Sequence, residues 1–379
     1  MNSKERHEAR YQRRKAKREA RKAELRQQYG NFASVFTFDN LYDSYQKACR
    51  GVGWKASTQK FKVNALYNIN QIHRQLLAGK FKSKGFHEFD IYERGKPRHI
   101  KSLHISERVV QRCLCDNALV PMYSNSFIYD NGASMKGKGI DFAIRRLTCH
   151  LQRHYRKYGC EGYALIFDFS KYFDNIAHEP LIKEVYKRFD DERLRALIVQ
   201  LIKDFGDKGL GLGSQISQVS ALMYPNKLDH YIKEVLHIKG YGRYMDDGYL
   251  IHHSKEHLQI CLAEIKRICG ELGIILNTKK TQIVKLSRGI TFLKTRFFLT
   301  ETGKVVKKPC RQGVVRMRRK LKKFKQWLIG GKFTMKEIRT SVCSWLGHVK
   351  RCNSYKTRQS MRALYRDLFL KKEVKANDG

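Results

Sequence analysis

The chain has 379 residues, 77 of them Lys or Arg against 35 Asp or Glu, which gives a formal charge of +42 beside a hydrophobic content of 42%. That apolar mass suffices for about two or three packed units, so a wholly disordered chain is excluded. The charge points to a polyanion, and nucleic acid is favoured over a membrane because no apolar run approaches the roughly 20 residues a spanning helix needs.

The start, MNSKERHEARYQRRKAKREARK, has no apolar segment and therefore no secretory signal, so a cytoplasmic protein is expected. Ten Cys residues without a C-x-x-C pair argue against zinc fingers and a disulfide framework, and for reduced thiols. Up to about residue 30, eleven Lys or Arg and almost no large apolar side chains predict a solvated helix or a disordered arm, read as RNA-binding or as a solubilising tail. From Phe36 to Lys80 the spacing of Leu66, Ile69, Ile72 and Leu76 is helical. Next, FHEFDIYERGKPRHIKSLHI (Phe86 to Ile105) holds two strand-like runs around Arg94-Gly95-Lys96-Pro97, a hairpin with a basic tip. Lys96, Arg98 and Lys101 fall on or beside it, where a mobile arm closes over a triphosphate; most basic hairpins are only solvated turns.

In YALIFDFSKYFDNIAH (Tyr163 to His178) a continuous apolar run reads as a buried strand ending on Asp168. A carboxylate there needs a cation or hydrogen-bond donors; alone, Asp168 reads equally as a helix N-cap. Phe173 is five residues on, in position to pack beside what Asp168 binds. GRYMDDGYLIH (Gly242 to His252) sets Asp246 against Asp247, a costly pairing unless a cation lies between them. Asp247-Gly248 carries the signal of a tight hairpin turn between two short strands. If that hairpin lies beside the strand ending at Asp168, three carboxylates converge. Such a cluster calls for hard divalent cations, Mg²⁺ above all, and two such ions suit in-line phosphoryl transfer.

Near the C-terminus, Met317, Leu321, Phe324 and Leu328 form a helical stripe, while Arg316, Arg318, Arg319, Lys320, Lys322, Lys323 and Lys325 fill the remaining positions. Gly330 and Gly331 end that helix. Thr334 with Glu337 is a capping-box signature for the next, whose stripe is Ile338, Val342, Trp345 and Val349. The apolar stripes are core, and the basic face is expected to grip nucleic-acid phosphates.

RYMDDGYLI resembles the Y-x-D-D signature of reverse transcriptases, and FDFSKYFDNIAH resembles their first catalytic motif, in the family's order and spacing. KPRHIKSLHISERVVQRCL (Lys96 to Leu114) is similar to the fingers motif, with Arg98 as the arginine that touches the nucleotide. ELGIILNTKKTQI is similar to the motif whose lysine, here Lys279 or Lys280, lies near the phosphates, and SRGITFLKTRF to the primer grip. In GLGLGSQISQ, Leu212 and Gln218 stand where many members have Gln and Pro, a pattern similar to the enzymes of diversity-generating retroelements, which copy template adenines with errors; SWLGHVKRCNSY also resembles that group. Gly211 in place of the usual Pro, Pro225 in the following helix, and FLK in place of FLG depart from the pattern.

The resemblance implies an α+β right-hand polymerase with a basic arm (1–35), fingers (36–125), a palm with a small antiparallel sheet (126–304) and a helical thumb (305–379). It implies that Asp168, Asp246 and Asp247 are catalytic and hold two Mg²⁺, with Mn²⁺ as a substitute. Phe173 then excludes a ribose 2′-OH, Arg98 and Lys101 meet the triphosphate, Gln218 sits near the template base, and Lys279 or Lys280 serves the pyrophosphate. The partners implied are an RNA template, an RNA:DNA duplex gripped by the thumb, deoxynucleoside triphosphates, and a small accessory protein or structured non-coding RNA. An antiphage-defence enzyme or a group II intron maturase is the alternative. A non-enzymatic RNA-binding scaffold is a third reading, opposed by the presence of all three carboxylates.

Overall fold

The computed structural model describes residues 2–93 and 96–370. They form two compact units interleaved along the chain: Met1–Lys136, Phe169–Val235 and Glu264–Asn277 in the first, Gly137–Asp168, Leu236–Ala263 and Thr278–Gly379 in the second.

The first unit is mostly helical. Its basic start is one 27-residue helix, Ser3–Tyr29, with no buried residue. Asn2 caps it, accepting from the Glu5 amide at 2.8 Å while Glu5 accepts from the Asn2 amide at 2.9 Å. Ile69, Ile72 and Leu76 are buried in helix Ala65–Leu77 as the spacing predicts. Leu66, expected on the same stripe, is 60% exposed, because burial begins only after the helix's first turn. The hairpin is present: β1 (Phe86–Glu93) pairs antiparallel with β2 (Lys96–Leu103), Phe86 opposite Leu103. Arg94, Gly95 and the Lys96 side chain at its tip lie outside the described residues. Helix Gln215–Met223 stops before Pro225, and a short helix restarts at Asn226, as a residue without an amide hydrogen dictates.

The second unit carries the small antiparallel sheet expected of the palm. Strands β3 (Tyr163–Asp168), β4 (Gly240–Tyr244), β5 (Asp247–His252) and β6 (Gln282–Lys285) lie in the order β4-β5-β3-β6, all pairs antiparallel. Ala143, Ile144, Leu147 and Leu151 of helix Ile140–Tyr158 pack with Ala164, Tyr249 and Ile251 into its core. A second sheet, β7 (Ile290–Phe292), β8 (Thr295–Leu299) and β9 (Val305–Pro309), joins the same core through Phe292 and Phe297.

Helices Arg311–Ile329, Met335–Val349 and Tyr355–Phe369 close the second unit around Met317, Leu321, Phe324, Ile338, Val342 and Met361. The Thr334–Glu337 capping box is formed as its signature predicts. Helices and small antiparallel sheets without βαβ alternation make this an α+β protein, as expected.

Candidate active site

The site begins with strand pairing. Residue pairs run from Tyr163 opposite His252 to Asp168 opposite Asp247, so two carboxylates end adjacent antiparallel strands face to face. Tyr244 pairs with Asp247, which leaves Met245 and Asp246 as the whole loop between β4 and β5. The turn expected at Asp247-Gly248 therefore lies two residues earlier. Met245 takes the left-handed conformation, φ +58°, that a glycine ordinarily supplies, and Gly248 serves another purpose. A Cβ at Gly248 would stand 2.2 Å from Cζ of the fully buried Phe167 ring, so only hydrogen fits where β5 crosses β3.

Asp168 is 5% exposed and is no helix N-cap; the next short helix, Tyr172–Asn175, has Lys171 in that position. Lys280 donates from Nζ to Asp168 Oδ2 at 2.8 Å, so of the two expected lysines it is the one bonded to the cluster. Burial foremost, then the Asp246 charge and the hydrogen bond donated to Asp168, push the Asp247 carboxyl up to about 8. Burial lowers the Lys280 ammonium, but its bond to Asp168 and the charges of Asp247 and Asp246 outweigh that and leave it raised.

Among the described residues, no group of three or more His, Cys, Asp or Glu is disposed to hold a metal ion as it stands. The donor chemistry nevertheless fits a hard divalent cation: every oxygen is carboxylate, and Lys280 is the cation whose charge offsets theirs.

A protein-family model described as reverse transcriptase (RNA-dependent DNA polymerase) matches residues 82–348. The chain belongs to the reverse transcriptase family. Protein YkfC of Escherichia coli (strain K12) is 25% identical over 245 residues, covering 53% of this chain and 63% of its own, so the chain spans less than two thirds of that relative. Telomerase from Candida albicans, solved in complex with a TWJ fragment of telomeric RNA, superposes with a TM-score of 0.46 at 12% identity, over 74% of this chain and 55% of that one. Apo telomerase from Candida tropicalis, truncated from its C-terminal domain, gives 0.45 at 14% identity, over 59% and 54%.

In this member of the reverse transcriptase family the other expected site residues fall as follows. Arg98 stands exposed on β2 opposite Ile91. Lys101 reaches inward, donating to the Phe205 carbonyl at 3.2 Å and lying 5.5 Å over the Phe86 ring. Phe173 is half-buried, edge-on to Tyr172, and its carbonyl accepts from the Leu210 amide at 2.8 Å. Gln218 is exposed on helix Gln215–Met223, whose cap Ser214 donates to the buried Gln111 at 2.6 Å. The Phe205 ring explains Gly211, since a Cβ there would meet it at 2.7 Å and a proline could not enter. Lys279 is exposed.

On helix Arg311–Ile329, Arg316, Arg318, Arg319, Lys320, Lys322 and Lys323 are all exposed. Arg318 donates to Ser360 and Lys320 to Ser341, each at 3.0 Å, so these two bind the neighbouring helices.

Two residues escaped the sequence reading. Arg243, among the largest fully buried side chains, donates to the Met245 carbonyl at 2.8 Å and so braces the loop that holds Asp246. His150 of helix Ile140–Tyr158 meets the hydroxyl of Tyr249, on β5, at 3.0 Å. The signal for Arg243 was a lone arginine in an otherwise apolar strand, GYGRY.

Proposed function

We propose that this reverse transcriptase copies a dedicated RNA into DNA by two-metal nucleotidyl transfer, with errors at template adenines, as part of a diversity-generating retroelement. The observation that carries the polymerase reading is the pairing of Asp168 against Asp247, with Asp246 in the adjoining two-residue loop and Lys280 on Asp168. Asp168, Asp246 and Asp247 would hold Mg²⁺, or Mn²⁺ in its place. When bound, such ions supply activation of the primer 3′-oxygen and charge neutralisation on the leaving pyrophosphate.

The chain's own groups do the rest. Lys280 neutralises phosphate charge and stands ready to give a proton to the pyrophosphate. Arg98 and Lys101 take the triphosphate, and Phe173 excludes a 2′-OH. The cations from Arg316 to Lys323 hold the RNA:DNA duplex by its phosphates, Arg318 and Lys320 after release from their serines. In this reading residues 36–125 act as fingers, 126–304 as palm and 305–379 as thumb. Support for the retroelement role is Leu212 and Gln218 in the template-side motif.

Primer extension on an RNA template with Mg²⁺ and deoxynucleotides tests the whole. Wild type should extend, and Asp246→Asn and Asp247→Asn should not; equal extension by the mutants rejects the site. Product errors should cluster opposite template adenine and shift in Gln218→Pro. An even error spectrum rejects the retroelement role and leaves the defence or maturase reading. Phe173→Ala should incorporate ribonucleotides more readily, and unchanged discrimination removes Phe173 as the gate.

A further inference from the structure

The N-terminal helix is long, charged and almost unattached. Its contacts to the first unit are at its C-terminal end, where Arg26 pairs with Asp190 at 3.2 Å and donates to the Lys187 carbonyl at 2.7 Å, and Arg21 donates to Asn125 at 3.2 Å. From Ser3 to Glu24 every side chain but that of Ala9 is exposed.

One face of the helix is basic from Arg6 to Arg21. Arg6, Arg10, Arg13, Arg14, Lys17 and Arg21 recur three or four apart, so they line one side of the helix over about 22 Å at 1.5 Å per residue. Glu5, Glu8 and Glu19 fall on the opposite side, together with Lys4, Lys15 and Lys22. Among the described residues no acid pairs with Arg6, Arg10, Arg13, Arg14 or Lys17; Glu8, one turn from the start, accepts instead from Gln12 at 2.6 Å. Like charges four residues apart repel by about 0.2–0.5 kcal/mol per pair, so the stripe works against its own helix until a polyanion neutralises it. The helix offers no apolar face to sink into a bilayer, for its only large apolar or aromatic residues are Tyr11, Leu25 and Tyr29, and the last two lie at the anchored end. A run of regularly spaced phosphates is the complement that remains.

We propose that the Arg6–Arg21 face binds the phosphate backbone of a folded RNA outside the template-primer duplex, tethering the enzyme to the RNA it copies. The proposal rests on the reverse transcriptase reading only for the identity of that RNA; binding itself is measured without synthesis.

The test uses the full chain and a fivefold Arg6→Gln, Arg10→Gln, Arg13→Gln, Arg14→Gln, Lys17→Gln variant, with an unprimed RNA hairpin in filter binding from about 50 to 200 mM salt. Loss of five phosphate contacts should weaken binding by tenfold or more at the lower salt and flatten the log–log salt slope by about four. The matching variant with Lys at the four Arg positions keeps charge and helix, and should bind nearly as wild type. Extension of a short primed template at saturating concentration should be unchanged in both. Equal hairpin affinity and slope for the Gln variant would overturn the proposal. So would loss of short-template extension in parallel with binding, or anionic phosphatidylserine vesicles competing with the hairpin for the helix. A wild type that binds the hairpin but never extends leaves the tether standing and removes the polymerase reading.

Discussion

Gly248 governs how near β5 comes to β3, and with it the distance between Asp247 and Asp168. The 2.2 Å that a Cβ would leave to the Phe167 ring cannot be absorbed by a side chain with no exposure. Gly248→Ala should therefore cost about 1–3 kcal/mol by overpacking, seen as a lower melting temperature, and Phe167→Leu should recover part of it in the double mutant. A melting temperature equal to wild type would mean that the strands part freely. Arg243 acts on the same loop from the other side. Arg243→Leu leaves the Met245 carbonyl without its buried donor, a loss of about 1–3 kcal/mol, and should lower kcat with little change in the KM for deoxynucleotide. A change confined to KM would contradict the bracing role. The three aspartates were legible because adjacent carboxylates and a buried strand ending on one are both costly without a cation. Gly248 was misread as a turn residue, since sequence shows a glycine's freedom but not the ring that a Cβ would strike.

At the scale of elements, signals that depend on neighbouring residues were the legible ones. The Thr334–Glu337 box caps its helix with the Thr334 hydroxyl accepting from the Glu337 amide at 3.3 Å, and Thr334→Ala should destabilise by about 1 kcal/mol in a denaturant melt. The two hairpin loops were not legible. Met245 (φ +58°), Leu293 (φ +47°) and Lys294 (φ +62°) turn the chain in a region that side chains disfavour, with tertiary packing in place of local preference. Lys294→Gly, at the departure from the usual FLG, should raise the melting temperature, because a left-handed lysine gives up about 1 kcal/mol that glycine does not.

A histidine group sits on β5 and its neighbours: His252 against His253 and His257, each at 4.3 Å between ring centres, with Tyr158 stacked on His253 and His154 bonded to the Glu161 carbonyl at 2.6 Å. Burial is the largest influence on His154 and His252 and holds both below their ordinary value. The unfolded chain then binds more protons than the folded one as pH drops through about 6.5, so stability is present above that pH and is lost below it. The melting temperature should fall between neutral and mildly acid pH, and less steeply in His252→Asn; parallel curves would clear the group of any part.

For the whole molecule, a charge of +42 makes salt the main experimental variable. Wild-type affinity for a primed RNA template should fall steeply with ionic strength, and Arg316→Gln with Arg319→Gln should flatten that slope by about two. An unaltered slope would remove that helix from the duplex contact. Composition pointed to the polyanion and periodicity to the helices, yet nothing in the sequence foretold that two units would interleave, because which distant segments pack together is decided by surfaces rather than by spacing. That interleaving reaches into synthesis on the ribosome. Strand β3 is complete at Asp168, but its partners β5 and β6 end at His252 and Lys285. At about 5–20 residues per second the nascent chain must carry β3 with both edges bare for several seconds, an invitation to mispairing. Asp168 stays without the aspartate it faces until synthesis has passed Asp247.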